Sequence, residues 1–169
     1  LMLGIIGMGL GFGILFSPLI IPMVAEASTA DYMRPSFEEN VILSADLLAF
    51  FTPSELHPLW GEWVLPVYQT FTSTTAERLI FAGFIPLILT IYAVRQFWQQ
   101  RLVQFWASFS IVFFILALGP YLHISGKIIQ IGSTPLPLPY LFLYKVVPFI
   151  GISRSLSRFD LMVMIGIGV

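Results

Sequence analysis

Long apolar blocks alternate with polar stretches along this chain. Apolar residues dominate 1–25, 79–94 and 102–119, and a further block opens at Phe159 and runs to Val169. A helix that crosses the ~30 Å hydrocarbon core of a bilayer needs ~20 mostly apolar residues. The blocks therefore predict an all-α membrane protein with about four transmembrane helices, the last truncated at Val169. Two long outer loops, 26–78 and 120–158, are expected to carry short interfacial helices, and 95–101 is a short turn. The chain begins with Leu1 inside an apolar run and stops inside another, which predicts a piece of a longer protein.

Within the first block, Gly7/Gly11 and Gly9/Gly13 form small-xxx-small pairs, which let helices pack closely. No strand precedes them, so a dinucleotide-binding glycine loop does not fit. A basic region ahead of the block is missing and the run is long, which argues against a signal peptide. Pro18 and Pro22 are expected to kink or end the helix. The loop 26–78 holds eight of the nine acids (Glu26, Asp31, Glu38, Glu39, Asp46, Glu55, Glu62 and Glu77), together with aromatic residues that a disordered linker would lack. A short helix over 44–51, capped by Ser44, is expected there. Pro86 predicts a kink in the block 79–94, and Gly119-Pro120 predicts a stop after the block 102–119.

Arg95 and Arg101 make the 95–101 turn basic, and short basic loops stay cytoplasmic. That places 26–78 and 120–158 on the outer face, although Lys127, Lys145, Arg154 and Arg158 in the second loop pull against it. The apolar stretch 136–152 is read as interfacial or re-entrant, because Pro135, Pro137 and Pro139 favour extended geometry and Lys145 and Pro148 interrupt the rest.

Composition narrows the chemistry. The chain is 57% hydrophobic and 10% charged, with a formal net charge of -1 and no cysteine. Disulfides and thiolate metal sites are excluded. Nothing suggests nucleic-acid binding. His57 and His123 lie far apart, with no metal-ligand spacing. Outer-loop acids could hold a divalent cation through oxygen ligands, but no spacing specifies one. Oligomeric state stays open.

Two constellations could carry chemistry. The first is Ser153-Arg154-Ser155-Leu156-Ser157-Arg158-Phe159-Asp160. Arg154 and Arg158 share a face if the region is helical, and guanidinium forks match phosphate oxygens. The functional reading is a site for a lipid phosphate or pyrophosphate, with Arg154, Arg158, Ser155 and Asp160 binding it. The structural reading is a pair of interfacial anchors touching ordinary headgroups. The second runs from Ser44 to Gly61, where Asp46, Glu55, His57 and Trp60 sit in apolar and aromatic sequence. Burial could tune the ionisable groups for acid–base work, and Trp60 could stack on a sugar. The alternative is a loop that folds over the helices with its polar groups in water.

The runs Asp46-Leu47-Leu48 and Phe51-x-Pro53-Ser54-x-Leu56-His57-Pro58-Leu59-Trp60-Gly61 resemble a loop of bacterial polytopic membrane proteins of the glycosyltransferase C superfamily type. Leu118-Gly119-Pro120, Leu136-Pro137-Leu138-Pro139-Tyr140 and the 153–160 run follow in matching order. The resemblance spans about 40–165. It implies a multi-pass enzyme of the bacterial cytoplasmic membrane that moves a sugar from a polyprenyl-phosphate donor at the outer face. Arg154 and Arg158 would hold the donor phosphate, and Asp46, Glu55, His57 and Trp60 would shape the acceptor side. The usual catalytic acid of that superfamily lies in an early outer loop and maps onto no residue here; Asp46 stands in a different motif. The alternative function is a non-enzymatic lipid-linked glycan transporter or assembly factor. Transport paths need polar residues inside spans, and Ser17, Thr90, Gln104, Ser108 and Ser110 are the notable ones in these blocks.

Overall fold

The computed structural model describes residues 2–29, 35–147 and 150–169. Asp31, Pro148 and the first residue, Leu1, lie outside them. The chain divides into two compact units, Leu1–Pro35 and Ser36–Val169.

The first unit is helix α1, Met2–Thr29. Pro18 and Pro22 lie inside it and do not end it. The carbonyl that Pro18 cannot bond is that of Ile14, four residues back. The Ser17 hydroxyl donates to that same carbonyl at 2.8 Å, so the gap in the ladder is filled from one residue away. Phe12 and Phe16 stack one turn apart, with ring centroids 4.3 Å from each other.

In the second unit, α2 covers Phe37–Ile42. Ser36 caps it by accepting from the Glu39 N–H at 3.1 Å, with Glu38 and Glu39 in the first turn where the helix dipole favours acids. A 3-10 turn follows at Leu47–Phe50, then α3 at Gly61–Tyr68 and α4 at Thr75–Arg78. Arg78 holds the intervening loop, donating from Nη1 to the Tyr68 carbonyl at 2.8 Å and from Nε to the Ser73 carbonyl. The long helices are α5, Phe84–Phe97, and α6, Arg101–Ala117.

Two antiparallel hairpins come next. Strands β1 (His123–Ile124) and β2 (Lys127–Ile128) pair with His123 opposite Ile128. Strands β3 (Gln130–Ile131) and β4 (Thr134–Pro135) pair with Ile131 opposite Thr134. The first turn needs positive φ at both central residues, which Ser125 (54°) and Gly126 (73°) supply. Helix α7 spans Pro139–Val146 and packs on α6. Two 3-10 turns, Ile150–Ile152 and Leu156–Phe159, lead into α8, Asp160–Gly168, which lies against α6 and α5. Gly166 permits that approach: a Cβ there would collide with the Ser110 hydroxyl and come within 3.3 Å of the Trp106 carbonyl. The core gathers Ala45, Ala49, Phe50, Tyr68, Phe71 and Ile80 beneath Ala117 and Leu118 at the end of α6.

This architecture corrects the membrane expectation. Among the described residues no helix is long and apolar enough to cross a membrane. Helix α5 has 14 residues and α6 has 17, or about 21 and 26 Å at 1.5 Å per residue, short of the ~20 residues a span takes. The block 79–94 is not one helix, because 79–83 is non-helical and Gly83 turns the chain with φ 97°. Pro86 sits in the first turn of α5, where a missing N–H leaves no intrahelical bond unmade. The four spans and the multi-pass placement in a bacterial cytoplasmic membrane are therefore corrected. The all-α assignment also fails, since 123–135 folds as two antiparallel hairpins.

Candidate functional site

The 153–158 segment forms one wall of a groove of about 610 Å³. Thr74 and Glu77 line it from the start of α4, and Leu43, Phe159, Leu161 and Met162 supply apolar surface. Thr74 precedes α4 with extended backbone, and its hydroxyl donates to Glu77 Oε2 at 2.8 Å. On the other carboxylate oxygen, the Ser155 hydroxyl donates to Oε1 at 2.5 Å. Arg158 Nη2 lies 3.6 Å from the same oxygen. Arg154 reaches the other way, with Nε 3.5 Å from Glu39 Oε2. The Ser157 N–H donates to the Leu43 carbonyl at 3.3 Å, which ties the segment to the end of α2.

Each arginine is thus tethered by one nitrogen and otherwise open: the side chains of Arg154 and Arg158 are 69% and 73% exposed, whereas that of Glu77 is 9% exposed. Burial works against the ionised form of Glu77. The hydrogen bonds from Ser155 and Thr74 and the Arg158 guanidinium outweigh it, and hold the carboxyl below its ordinary range. The arrangement can present two guanidinium edges to an anion while keeping its own carboxylate saturated.

Asp160 does not line this groove. It is buried and lines a small apolar cavity of about 60 Å³ with Phe50, Phe114 and Val163. Burial pushes its carboxyl up to about 6, against a hydrogen bond from the Leu161 backbone.

The residues of the second constellation take structural positions. Asp46 is buried and accepts from the N–H groups of Leu48 (2.9 Å), Ser125 (3.1 Å) and Gly126 (2.7 Å). It caps the 3-10 turn and clamps the β1–β2 hairpin with the same carboxylate. His57 is exposed, and its Nδ1 accepts from the Leu59 and Trp60 N–H groups at 3.2 and 3.3 Å, so the neutral ring carries its proton on Nε2. Trp60 precedes α3 and meets Trp63 edge-to-face at 6.2 Å. Glu55 is half-buried beside this turn; its carbonyl would meet any Cβ at Gly61. None of Asp46, Glu55, His57 and Trp60 lines the Arg154–Arg158 groove. His123 is buried with Nδ1 unpartnered, and desolvation lowers its basicity despite the nearby Asp46.

Among the described residues no three acid or histidine side chains gather to hold a metal ion. The polar partners of the 153–158 segment that sequence reasoning missed are Thr74 and Glu77 in the groove and Glu39 beside Arg154. Thr74-x-x-Glu77 has the spacing of a helix-capping pair, a signal that marks the start of α4 but not the arginine it faces. Compared with protein-family models, characterised proteins and solved structures, the chain matches none.

Proposed function

We propose that the Arg154–Arg158 groove binds the phosphate of a polyprenyl-phosphate-linked sugar, in a protein of glycosyltransferase-like function that transfers that sugar. The observation that carries the reading is the mixed lining of the groove. Two largely exposed guanidinium groups line it together with Leu43, Phe159, Leu161 and Met162. A phosphate joined to a hydrocarbon tail matches both kinds of lining: bidentate hydrogen bonds to the arginines and apolar contact for the first tail units. Transfer itself is supported by the motif resemblance, and Glu77 holds Arg158 and Ser155 at the groove.

Calorimetric titration of the protein with geranyl phosphate tests this. A charge-assisted hydrogen bond contributes about 1.5–3 kcal/mol, so Arg158→Ala should weaken binding about 10- to 100-fold, and geraniol should bind far more weakly than its phosphate. Equal affinity of wild type, Arg154→Ala and Arg158→Ala for geranyl phosphate rejects the site.

A further inference from the structure

Ser155 and Glu77 stand in a relation that anion binding alone does not require. The Ser155 hydroxyl points its proton at Glu77 Oε1, 2.5 Å away, leaving the oxygen lone pairs free on a side chain that lines the groove. Glu77 is itself fixed by a third group, Thr74, on its second oxygen. A nucleophile within hydrogen-bond reach of a base, with the base oriented by a further residue, is the geometry of an activated hydroxyl. Arg154 and Arg158 flank it in the same segment, and cations at that position stabilise charge on a transferring phosphoryl group.

We propose that Ser155 is a nucleophile that takes a phosphoryl group from an organic diphosphate bound in this groove, with Glu77 as its base. The inference rests on the reading of the groove as a phosphate site. The Ser155 Oγ–P bond forms as the bridging P–O bond of the diphosphate breaks. The electron pair of that bond leaves with the organic monophosphate, and the Oγ proton passes to Glu77 Oε1. The products are phosphoserine, a monophosphate and a protonated Glu77, with no oxidant, reductant or further reactant consumed. One arginine holds the phosphoryl group in transfer, and the other takes the charge that grows on the leaving phosphate. A diphosphate uses both guanidinium groups; a monophosphate supplies no phosphate leaving group for the second.

The test uses geranyl diphosphate with the whole chain. Binding is followed by calorimetry, release of geranyl phosphate by chromatography, and the adduct by intact-protein and peptide mass spectrometry after acid quench. The expected result is Ser155-dependent release, with one phosphoryl group on Ser155 in the quenched protein. Ser155→Ala should lower the release at saturating geranyl diphosphate at least ~100-fold, the scale of a lost nucleophile–base pair. A urea unfolding transition matching that of the wild type shows that this variant is folded. The isosteric Glu77→Gln should also lower release at least ~100-fold. Binding without adduct or release, or release unchanged in Ser155→Ala, overturns the nucleophile and leaves the phosphate site standing. Failure of geranyl diphosphate and geranyl phosphate alike to bind removes the phosphate site, and the nucleophile with it.

Discussion

Replacing Asp46 with Ala should unlock the β1–β2 hairpin. The Asp46 carboxylate serves three backbone donors in two distant stretches: Leu48 in the 3-10 turn, and Ser125 and Gly126 in the hairpin turn. Losing a cap at a helix start costs about 1 kcal/mol. Each of the two hairpin N–H groups then loses a charged acceptor, a bond of about 1.5–3 kcal/mol that water replaces only in part. Together these give a loss of about 4–7 kcal/mol. In Asp46→Asn, Oδ1 still accepts from Leu48 and Ser125 while the amide nitrogen faces the Gly126 N–H, so the loss should fall to about 1.5–3 kcal/mol. Urea unfolding measures both values, and amide hydrogen exchange locates them: Ser125 and Gly126 should lose protection in Asp46→Ala while α6 keeps its own. A loss below about 0.5 kcal/mol, within the range of ordinary surface substitutions, refutes the clamp, as does destabilisation with unchanged exchange at 125–126.

Three further outcomes follow from the same structure. Gly126→Ala places a Cβ against the Thr70 carbonyl at a φ of 73°, so denaturant unfolding should show a loss of more than about 1 kcal/mol. Asp160 has a folded pKa of about 6 against an ordinary 3.8; the folded state holds its proton more tightly, so this group costs stability as pH rises from about 4 to 6. Asp160→Asn should therefore match wild type near pH 4 and exceed it by up to about 3 kcal/mol at pH 7.5, read from urea curves at both pH values. Glu77 runs the opposite way: its lowered pKa means the folded state favours the carboxylate, so its contribution is present above pH ~4.5 and lost as pH falls through its folded value, and Glu77→Gln should flatten that acid limb.

The sequence carried local chemistry well and distances poorly. The arginine and serine density of 153–158 was legible because it is contiguous, but Glu39 and Glu77 reach it from far earlier in the chain, and no periodicity announces such pairs. Asp46 was legible as a residue able to act, yet its role depends on a hairpin some eighty positions later. The Ser125-Gly126 dipeptide is a turn signal that a reading dominated by hydropathy passed over. Apolar block length misled most. In 79–94 it merged the non-helical 79–83 with the first part of α5, and it placed Pro86 mid-helix when Gly83 makes it a first-turn residue. Hydropathy reports which residues avoid water; it does not report whether a Gly or Pro has already broken the helix that would hold them.

The most direct test of the phosphate groove is a crystal structure of the protein with geranyl phosphate. The account predicts phosphorus density between the guanidinium groups of Arg154 and Arg158, with phosphate oxygens within hydrogen-bond distance of both, and the geranyl chain against Phe159 and Met162. Phosphate bound elsewhere, or an empty groove at saturating ligand with Arg154 and Arg158 still turned onto Glu39 and Glu77, would contradict it.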